Sequence, residues 1–435
     1  MAKKRQGQPE NAGAFGVAAS VDDLLASAQE RGDQSLQTGR FIATFKENAV
    51  EEGVRALTKT QGMRVADARE FNGQAAALET LGAADAVVFP EIGAALISGA
   101  AFAARSLAMT AEADSESPIE VIEPEYFAFS DALESELYLR GFSRAVEAIS
   151  QDLRGEPGKA TLDEEVQVLG ATWGLVVCRV PQSTRSGAAI RLAVLDTGMD
   201  LGHPDFAGRP IVSQSFIAGQ AVQDGHGHGT HCIGTSSGPK APPGTTPRYG
   251  IAYQDLIHVG KVLSNSGSGA TAGILAGLNW AIANRCAVIS MSLGAQTPVQ
   301  AAYTAAGSAA LANGCLIVAA AGNASAPTGA PANSPTIMSV ASLDPTLSPS
   351  SFSNFGKIEI AAPGRDVFSA APRPRLYATM SGTSMATPHV AGCAALWAQT
   401  SPALRGMALW RKLQTTARQL PSPANRVGAG LVQAP

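Results

Sequence analysis

The chain has 435 residues, of which 45% are hydrophobic and 16% charged, and its formal net charge at pH 7 is −4. A chain of this length holds about two or three domains. A charge near neutral, with no basic block after residues 3–5, argues against nucleic acid as the main partner. No apolar stretch is long enough to span a membrane, and the N-terminus lacks the apolar core of a signal peptide. We therefore expect no membrane partner, and either a cytoplasmic location or export by a route without a visible signal peptide.

The first part of the chain predicts a mobile tail followed by a small α+β domain. Residues 1–37 are polar and rich in Gly and Ala, with one short amphipathic piece at 21–31. Residues 38–130 alternate between strand and helix patterns in the order β-α-β-β-α-β, which is typical of a ferredoxin-like domain. The strands are predicted at 39–46, 63–68, 84–98 and 119–129, and the helices at 47–60 and 100–111.

Residues 131–170 form a separate segment between this domain and the rest of the chain. Their apolar residues recur at helical spacing and predict an amphipathic helix, which Gly155 and Pro157 would end. We interpret the segment as a helical linker or insert that contains a possible processing site. The apolar positions are Leu133, Leu137, Leu139, Phe142 and Val146.

Residues 171–435 predict a larger α/β domain. Short apolar runs alternate with helical patterns such as 270–284, and this alternation indicates a doubly wound parallel sheet with helices on both faces. The strands are predicted at 190–195, 257–263, 286–292, 315–321 and 336–341.

Asp196 lies in a Leu-Asp-Thr-Gly turn directly after the first of these strands, at the edge where α/β folds place their sites. The same turn occurs in aspartic proteases, which need a second copy that this chain lacks. His228 lies in a Gly-rich segment that also contains His226 and His231. Three histidines at this spacing are a weak zinc pattern without nearby Cys or carboxylate pairs.

Ser384 stands in a Ser-Gly-Thr-Ser turn before an Ala-rich helix pattern. The free N–H groups at a helix start favour the oxyanion of an acyl-transfer transition state. In chain order Asp196, His228 and Ser384 follow the order of the subtilisin triad. Ser384 would attack a carbonyl, His228 would take its proton, and Asp196 would orient the imidazole.

With these motifs the chain resembles the subtilisin-like serine peptidases, the subtilase family, and in particular its proteinase K-like branch. The resemblance covers roughly residues 160–435. It implies that Asn323, which follows the strand 315–321, donates to the oxyanion together with the backbone N–H of Ser384. The matching stretches are residues 193–199, 228–234, 319–323 and 382–392.

The resemblance also implies a groove in which extended substrate pairs with two backbone edges. Gly residues let a peptide approach these edges closely. No Asp or Glu occurs in residues 315–342, around the expected specificity pocket, so we predict an apolar or aromatic residue before the scissile bond. The implied substrate-binding residues are Ser292, Leu293 and Gly294 on one edge, Gly267, Ser268 and Gly269 on the other, and Ala320 and Gly322 in the pocket.

Residues 38–130 resemble the inhibitory prodomain of subtilases, most closely at 39–46 and 121–129. The resemblance implies that the last strand enters the active site like a product, with residues 126–129 filling the apolar subsites. We hypothesise self-cleavage between about residues 127 and 132. Family members usually have little sequence between prodomain and catalytic domain, so the 131–170 segment is a departure.

We expect no cofactor and no identifiable metal site. Many relatives bind calcium in a loop after the catalytic His, but residues 238–248 contain no carboxylate, and Asp205 alone makes no site. Calcium elsewhere stays possible. The five cysteines, an odd number lying mostly in apolar runs, are expected to be buried free thiols.

These observations predict a serine endopeptidase made as a self-inhibited zymogen, with polypeptide substrates and its own prodomain as partners. Two alternatives remain open at this point. One is a dedicated processing peptidase for a single partner or leader peptide. The other is a non-hydrolytic regulator that retains the fold.

Overall fold

The computed structural model describes residues 16–31, 35–70, 84–105, 117–130, 170–244 and 246–435. The predicted linker helix around Leu133 to Val146 lies outside the described residues. In the described part of the chain, no helix is both long and apolar enough to cross a membrane.

The N-terminal region begins with a helix instead of the mobile tail that we predicted for residues 1–37. Its apolar side chains are buried against the last strand of the following domain, and this burial holds the segment in place. The prediction is therefore wrong for residues 16–31, whereas residues 1–15 lie outside the described part. The helix, α1, spans Val21–Arg31.

The next domain has the ferredoxin-like order, with one strand added. Its sheet order is β2-β3-β4-β1-β5, antiparallel except for β2 against β3. Its elements are β1 Gln37–Phe45, α2 Val50–Arg55 with a π-helical turn Ala56–Thr60, β2 Val65–Asp67, β3 Ala86–Phe89, β4 Ala94–Ile97, α3 Gly99–Arg105 and β5 Ile119–Phe129.

Residues 84–98 form a hairpin and not the single strand that we predicted. The chain reverses between β3 and β4, where Pro90 lacks an N–H and Gly93 adopts a φ of +79°. The four-stranded ferredoxin-like core is therefore β1, β3, β4 and β5, and β2 is an extra strand at its edge.

The C-terminal domain confirms the predicted doubly wound α/β fold. Seven parallel strands lie in the order β13-β12-β11-β10-β6-β8-β7. These strands are β6 Arg191–Asp196, β7 Ile211–Ser215, β8 Leu256–Lys261, β10 Val288–Met291, β11 Leu316–Ala320, β12 Met338–Leu343 and β13 Ile360–Pro363. The short strands are β9 Ser268–Ala270, β14 Val367–Ala370 and β15 Tyr377–Met380, and the helices are α4 Trp173–Val177, α5 His228–Ser237, α6 Thr271–Ala283, α7 Ala301–Ala312, α8 Thr383–Thr400, α9 Gly406–Thr416 and α10 Ala424–Val427.

Two apolar layers cover the parallel sheet, because successive side chains of a strand point to opposite faces. Leu192 and Val194 of β6 belong to the cluster that includes the buried residues of α5 and α8. Ala193 and Leu195 belong to the cluster under α6 and α7. The strands are thus buried on both faces. In such a sheet the functional site is expected at the carboxyl ends of the strands.

Candidate active site

Asp196 and His228 meet at the carboxyl edge of the parallel sheet. Asp196 is the last residue of β6, and His228 is the first residue of α5. His228 Nδ1 lies 2.8 Å from Asp196 Oδ1, and both side chains are buried. Because a carboxylate can only accept, Nδ1 carries the hydrogen and Nε2 is left with its lone pair. An imidazole held in this tautomer can accept a proton at Nε2.

Ser384 is the second residue of α8 and lies in the same buried place. Its Oγ is 3.1 Å from the backbone oxygen of Ser130 and 3.3 Å from that of Ser292. Within the described residues, Nε2 of His228 is buried without a hydrogen-bond partner. The Ser384 hydroxyl is therefore directed at the backbone of the N-terminal domain.

Asn323 is aimed at the start of α8 by the turn that follows β11. Its Oδ1 accepts from the backbone N–H of Thr383 at 2.8 Å and from the Thr383 hydroxyl at 3.0 Å. Gly322 allows the turn with a φ of +107°, and a side chain there would collide with Asn354. These two hydrogen bonds fix the Asn323 side chain at the start of α8, and Asn323 and Ser384 line the same pocket.

Electrostatics prepare His228 for a positive charge. Burial lowers its pKa, but the neighbouring Asp196 carboxylate more than offsets this, and the pKa of His228 lies well above its ordinary value. Burial lowers the pKa of His231 to about 3, and its Nε2 lies 3.0 Å from the Val367 oxygen. His231 is therefore neutral. Among the described residues it does not belong to a group of His, Cys and acidic side chains close enough to share an ion.

The two predicted groove edges lie on either side of residues 127–130. On one side, β9 pairs antiparallel with the end of β5, so that Ser268 and Gly269 face Phe129 and Ala128. On the other side, Phe129 and Gly294 exchange two backbone hydrogen bonds, of 3.0 and 2.9 Å. Gly267 accepts the Ser130 N–H at 2.9 Å.

A small pocket opens beside Ser384. Its lining is apolar or uncharged and contains the predicted residues Leu293, Gly294, Ala320 and Gly322. Ser292 does not line it, but its Oγ donates to the Ser384 backbone oxygen at 2.7 Å. The described lining residues are Phe129, Ser130, Leu293, Gly294, Ala295, Gln296, Ala320, Ala321, Gly322, Asn323, Gly329, Ala330, Thr383 and Ser384.

Comparison with known proteins decides the family. The model of the Subtilase family matches residues 187–430, which is more than half of the chain. This chain belongs to the subtilase family. It is a subtilisin-like serine endopeptidase, and its substrates are polypeptides.

Named relatives agree with this assignment. The alkaline protease of Alkalihalobacillus alcalophilus is 37% identical over 289 residues, which cover 64% of this subtilase and 74% of the relative. Subtilisin Savinase of Lederbergia lenta is 39% identical over 268 residues, covering 60% of this chain and 96% of the relative. The crystal structure of a cold adapted subtilisin-like serine proteinase matches with a TM-score of 0.51 at 35% identity, covering 61% of this chain and 97% of that chain.

A buried network behind the site was missed from sequence. Asp224 accepts from the backbone of Gly227 at 2.8 Å and from the hydroxyls of Thr197 at 3.0 Å and Thr230 at 2.7 Å. It thereby ties the turn after Asp196 to the start of α5. Lys261 adds a hydrogen bond from Nζ to the Thr197 oxygen at 2.5 Å. The sequence feature that could have revealed this network is Lys261, a lysine inside the apolar run 257–263.

The five cysteines of this subtilase are all free and buried, as predicted. Cys232 Sγ lies 3.9 Å from His228 Nδ1. Burial raises the pKa of the Cys232 thiol, so it is not a thiolate nucleophile. Among the described residues, Asp196, His228 and Cys232 are the group of acidic, His and Cys side chains close enough to share an ion. Asp196 and His228 are already paired with each other.

Phe127 and Phe129 do not fill the apolar subsites of the groove, which differs from our prediction that residues 126–129 would fill them. Phe127 and Phe129 pack against α1, on the side away from the enzyme. Ala128 faces the enzyme and joins the cluster that contains Leu263 and Leu293. The reason is the two-residue period of a strand, which places one small residue inward between two outward rings.

Two carboxylates of β5 contact helix starts of the catalytic domain. Glu125 accepts the Ala272 N–H at 2.9 Å at the start of α6, and Glu123 accepts the Ala302 N–H at 3.1 Å at the start of α7. Both helix starts favour negative charge. Glu125 also pairs with Arg40 at 2.6 Å in a fully buried ion pair. The N-terminal domain is therefore held against the catalytic domain by charge interactions as well as by strand pairing.

The region where many relatives bind calcium is arranged differently here. Asp205 accepts hydrogen bonds from the hydroxyls of Tyr249 and Tyr377. Two phenol hydroxyls thus occupy the acceptor positions that a calcium ion would need. Among the described residues of this region, the donor set does not fit a hard cation.

Proposed function

We propose that this subtilase hydrolyses peptide bonds through an acyl-enzyme. Ser384 Oγ attacks the substrate carbonyl while His228 Nε2 takes its proton, and Asp196 stabilises the imidazolium that forms. The His228 proton then passes to the leaving amine, and water releases the acyl group by the same steps in reverse order. The observation that carries the proposal is the 2.8 Å contact of His228 Nδ1 with Asp196 Oδ1, next to a helix-start serine in a backbone groove.

We propose that the Asn323 amide and the Ser384 backbone N–H stabilise the oxyanion. The engagement of Asn323 Oδ1 by Thr383 supports this role, because it fixes the Asn323 side chain at the start of α8, in the pocket that Ser384 also lines. Fixed donors of this kind stabilise the charge of the transition state without reorganising.

The preferred substrate is an extended peptide with an apolar or aromatic residue before the scissile bond. Support comes from the pairing of residues 127–130 with both groove edges, and from a pocket whose described lining carries no charged side chain. A panel of peptides that differ only at this residue tests the preference. Turnover confined to Arg or Lys would contradict it.

We infer that the enzyme is made as a zymogen that its own N-terminal domain inhibits. The placement of β5 in the groove and the 3.1 Å contact of Ser384 Oγ with the Ser130 oxygen support this. Processing is expected at the peptide bond that follows Ser130, inside the range 127–132 that the sequence suggested, because the Ser130 carbonyl is the one beside Ser384 Oγ. The residue before this bond is then a small polar serine, and the chain's own processing site differs from the apolar or aromatic residue proposed for substrates.

Intact mass of the wild-type chain and of the Ser384→Ala variant tests the zymogen. We expect the wild type to separate into two fragments near residue 130 and the variant to stay whole. A wild-type chain that remains full length while hydrolysing peptides would refute self-processing. Labelling of Ser384 by a fluorophosphonate, lost on unfolding, tests the nucleophile separately.

A further inference from the structure

Helix α1 lies outside the ferredoxin-like domain and covers the strand that occupies the groove. Its start is capped by Ser20, whose hydroxyl accepts the Asp23 N–H at 3.2 Å. Its inner face consists of Leu24, Leu25 and Ala28, which are at most 4% exposed. This face packs on the rings of Phe127 and Phe129.

Strand geometry explains why this cover is needed. Residues 127–129 pair with β9 on one side, and Phe129 pairs with Gly294 on the other. Ala128 points into the enzyme, so Phe127 and Phe129 must point outward. Without α1 the two rings would face water, whereas in the structure they are 1% and 3% exposed.

A second set of contacts joins the same segment to the domain and the enzyme. The backbone oxygen of Val17 accepts from Arg40 Nη1 at 3.1 Å. Arg40 pairs with Glu125, and Glu125 accepts the N–H of Ala272 at the start of α6. The Val17 side chain is buried in the cluster that contains Ala128 and Leu263.

We propose that residues 16–31 form a strap. The strap is an interaction surface for a strand that is bound in the groove, and it recognises aromatic side chains that point outward at two alternate positions of that strand. The strap holds β5 against the enzyme from the side that the groove itself cannot reach. It makes the N-terminal domain a slower inhibitor to release than the ferredoxin-like domain would be by itself. Only this last consequence rests on the proposed zymogen.

Hydrogen exchange of the intact Ser384→Ala chain tests the strap without relying on peptidase activity. We compare Leu24→Asp, which places a charge in the buried face, with Ala26→Asp on the exposed face of the same helix. Leu24→Asp is expected to speed exchange at residues 127–130 by about tenfold or more, because the strand opens more often. Exchange at residues 41–44, which pair with β4, is expected to stay unchanged. Ala26→Asp is expected to match the parent chain.

The milder Leu24→Ala variant covers the case in which the charge unfolds the whole domain. In that variant residues 127–130 should still exchange several-fold faster while 41–44 stay protected. Exchange at 127–130 that is equal in the parent, Leu24→Asp and Leu24→Ala chains would overturn the strap. An equal acceleration by Ala26→Asp would overturn it too.

Fluorophosphonate labelling of the same substitutions in chains that keep Ser384 tests the consequence for release. The initial labelling rate of the freshly purified chain should rise by about tenfold in Leu24→Asp. Faster exchange with no labelling in any chain would uphold the strap and refute the peptidase proposal. Rapid labelling of all chains with unchanged exchange would uphold the peptidase and refute the strap.

Discussion

The Asn323 side chain depends on its immediate neighbours for its orientation. Thr383 engages its oxygen through both a backbone N–H and a hydroxyl, and Gly322 provides the left-handed turn before it. An asparagine after a strand is usually a turn former, and here two hydrogen bonds also fix its side chain at the start of the helix that carries Ser384.

Replacing Asn323 by Ala is expected to lower kcat and leave KM nearly unchanged, because the donor acts mainly in the transition state. The loss should be about 10²–10³-fold, a value measured for one such donor in subtilisin itself. Steady-state kinetics on a single peptide substrate measures it. Asn313→Ala, on the exposed end of α7, is the matched control and should behave as wild type. A rise in KM at constant kcat would contradict the assigned role.

Asp200 gives a pH-dependent contribution to stability. Hydrogen bonds from the Arg373 side chain hold the pKa of this buried carboxyl well below its usual range. A folded-state pKa below the unfolded value stabilises the protein above the unfolded pKa, near 3.9, and the stabilisation is lost as the pH falls through the folded-state pKa.

Asp200→Asn in the Ser384→Ala chain is therefore expected to lower the free energy of unfolding at pH 7 by about 1–3 kcal/mol, the range for a charged hydrogen bond. The difference between variant and parent should shrink as the pH falls below about 4. Urea unfolding at a series of pH values measures both. A difference that grows in acid would contradict the pairing with Arg373.

At the scale of elements, β5 is held by three kinds of interaction. Its backbone pairs with β1 and β9, its carboxylates contact the starts of α6 and α7, and its aromatic rings pack under α1. The buried Arg40–Glu125 pair links the first two, because Glu125 bonds both Arg40 and the Ala272 N–H.

Glu125→Gln is expected to destabilise the covered state by about 3 kcal/mol, because it leaves the buried Arg40 charge without an opposite charge. In the Ser384→Ala chain, faster hydrogen exchange across 119–130 measures this loss. Glu120→Gln, at an exposed position of the same strand, is the control and should leave exchange unchanged. Equal exchange in both variants would show that the buried pair does not hold the strand.

At the scale of the whole molecule, side-chain hydrogen bonds of Asp205 join separate segments of the catalytic domain. The carboxylate already accepts from Tyr249 and Tyr377, which belong to separate segments of the catalytic domain. The described part of the domain thus closes this region by direct contacts between distant segments.

Asp205→Ala is therefore expected to leave the calcium response of the Ser384→Ala chain unchanged, so that the difference in Tm between calcium and a chelator is the same with and without this carboxylate. An ion bound to the folded chain at a hundred times its Kd would add about 2.7 kcal/mol and raise the Tm by several degrees. Differential scanning calorimetry measures the two conditions. A calcium-dependent rise that disappears in Asp205→Ala would show that the tyrosines give way to an ion.

The sequence by itself determined the chemistry and the main fold. Local motifs place Asp196 after a strand, His228 and Ser384 at helix starts, and Asn323 after a strand end, and each position follows from spacing along a few neighbouring residues. Buried strands and amphipathic helices are likewise local patterns, so the parallel sheet was predictable.

Only the tertiary structure showed which segments of the chain pack against each other. Only packing shows that the helix at Val21–Arg31 is buried, because Leu24 and Leu25 are covered by rings about a hundred residues away in sequence. Packing also turned Phe127 and Phe129 away from the groove and joined Asp224 and Lys261 to the site. A sequence motif identifies the side chains that take part in the reaction. Burial of a side chain depends on contacts between segments that are distant in sequence, and a local sequence pattern does not contain those contacts.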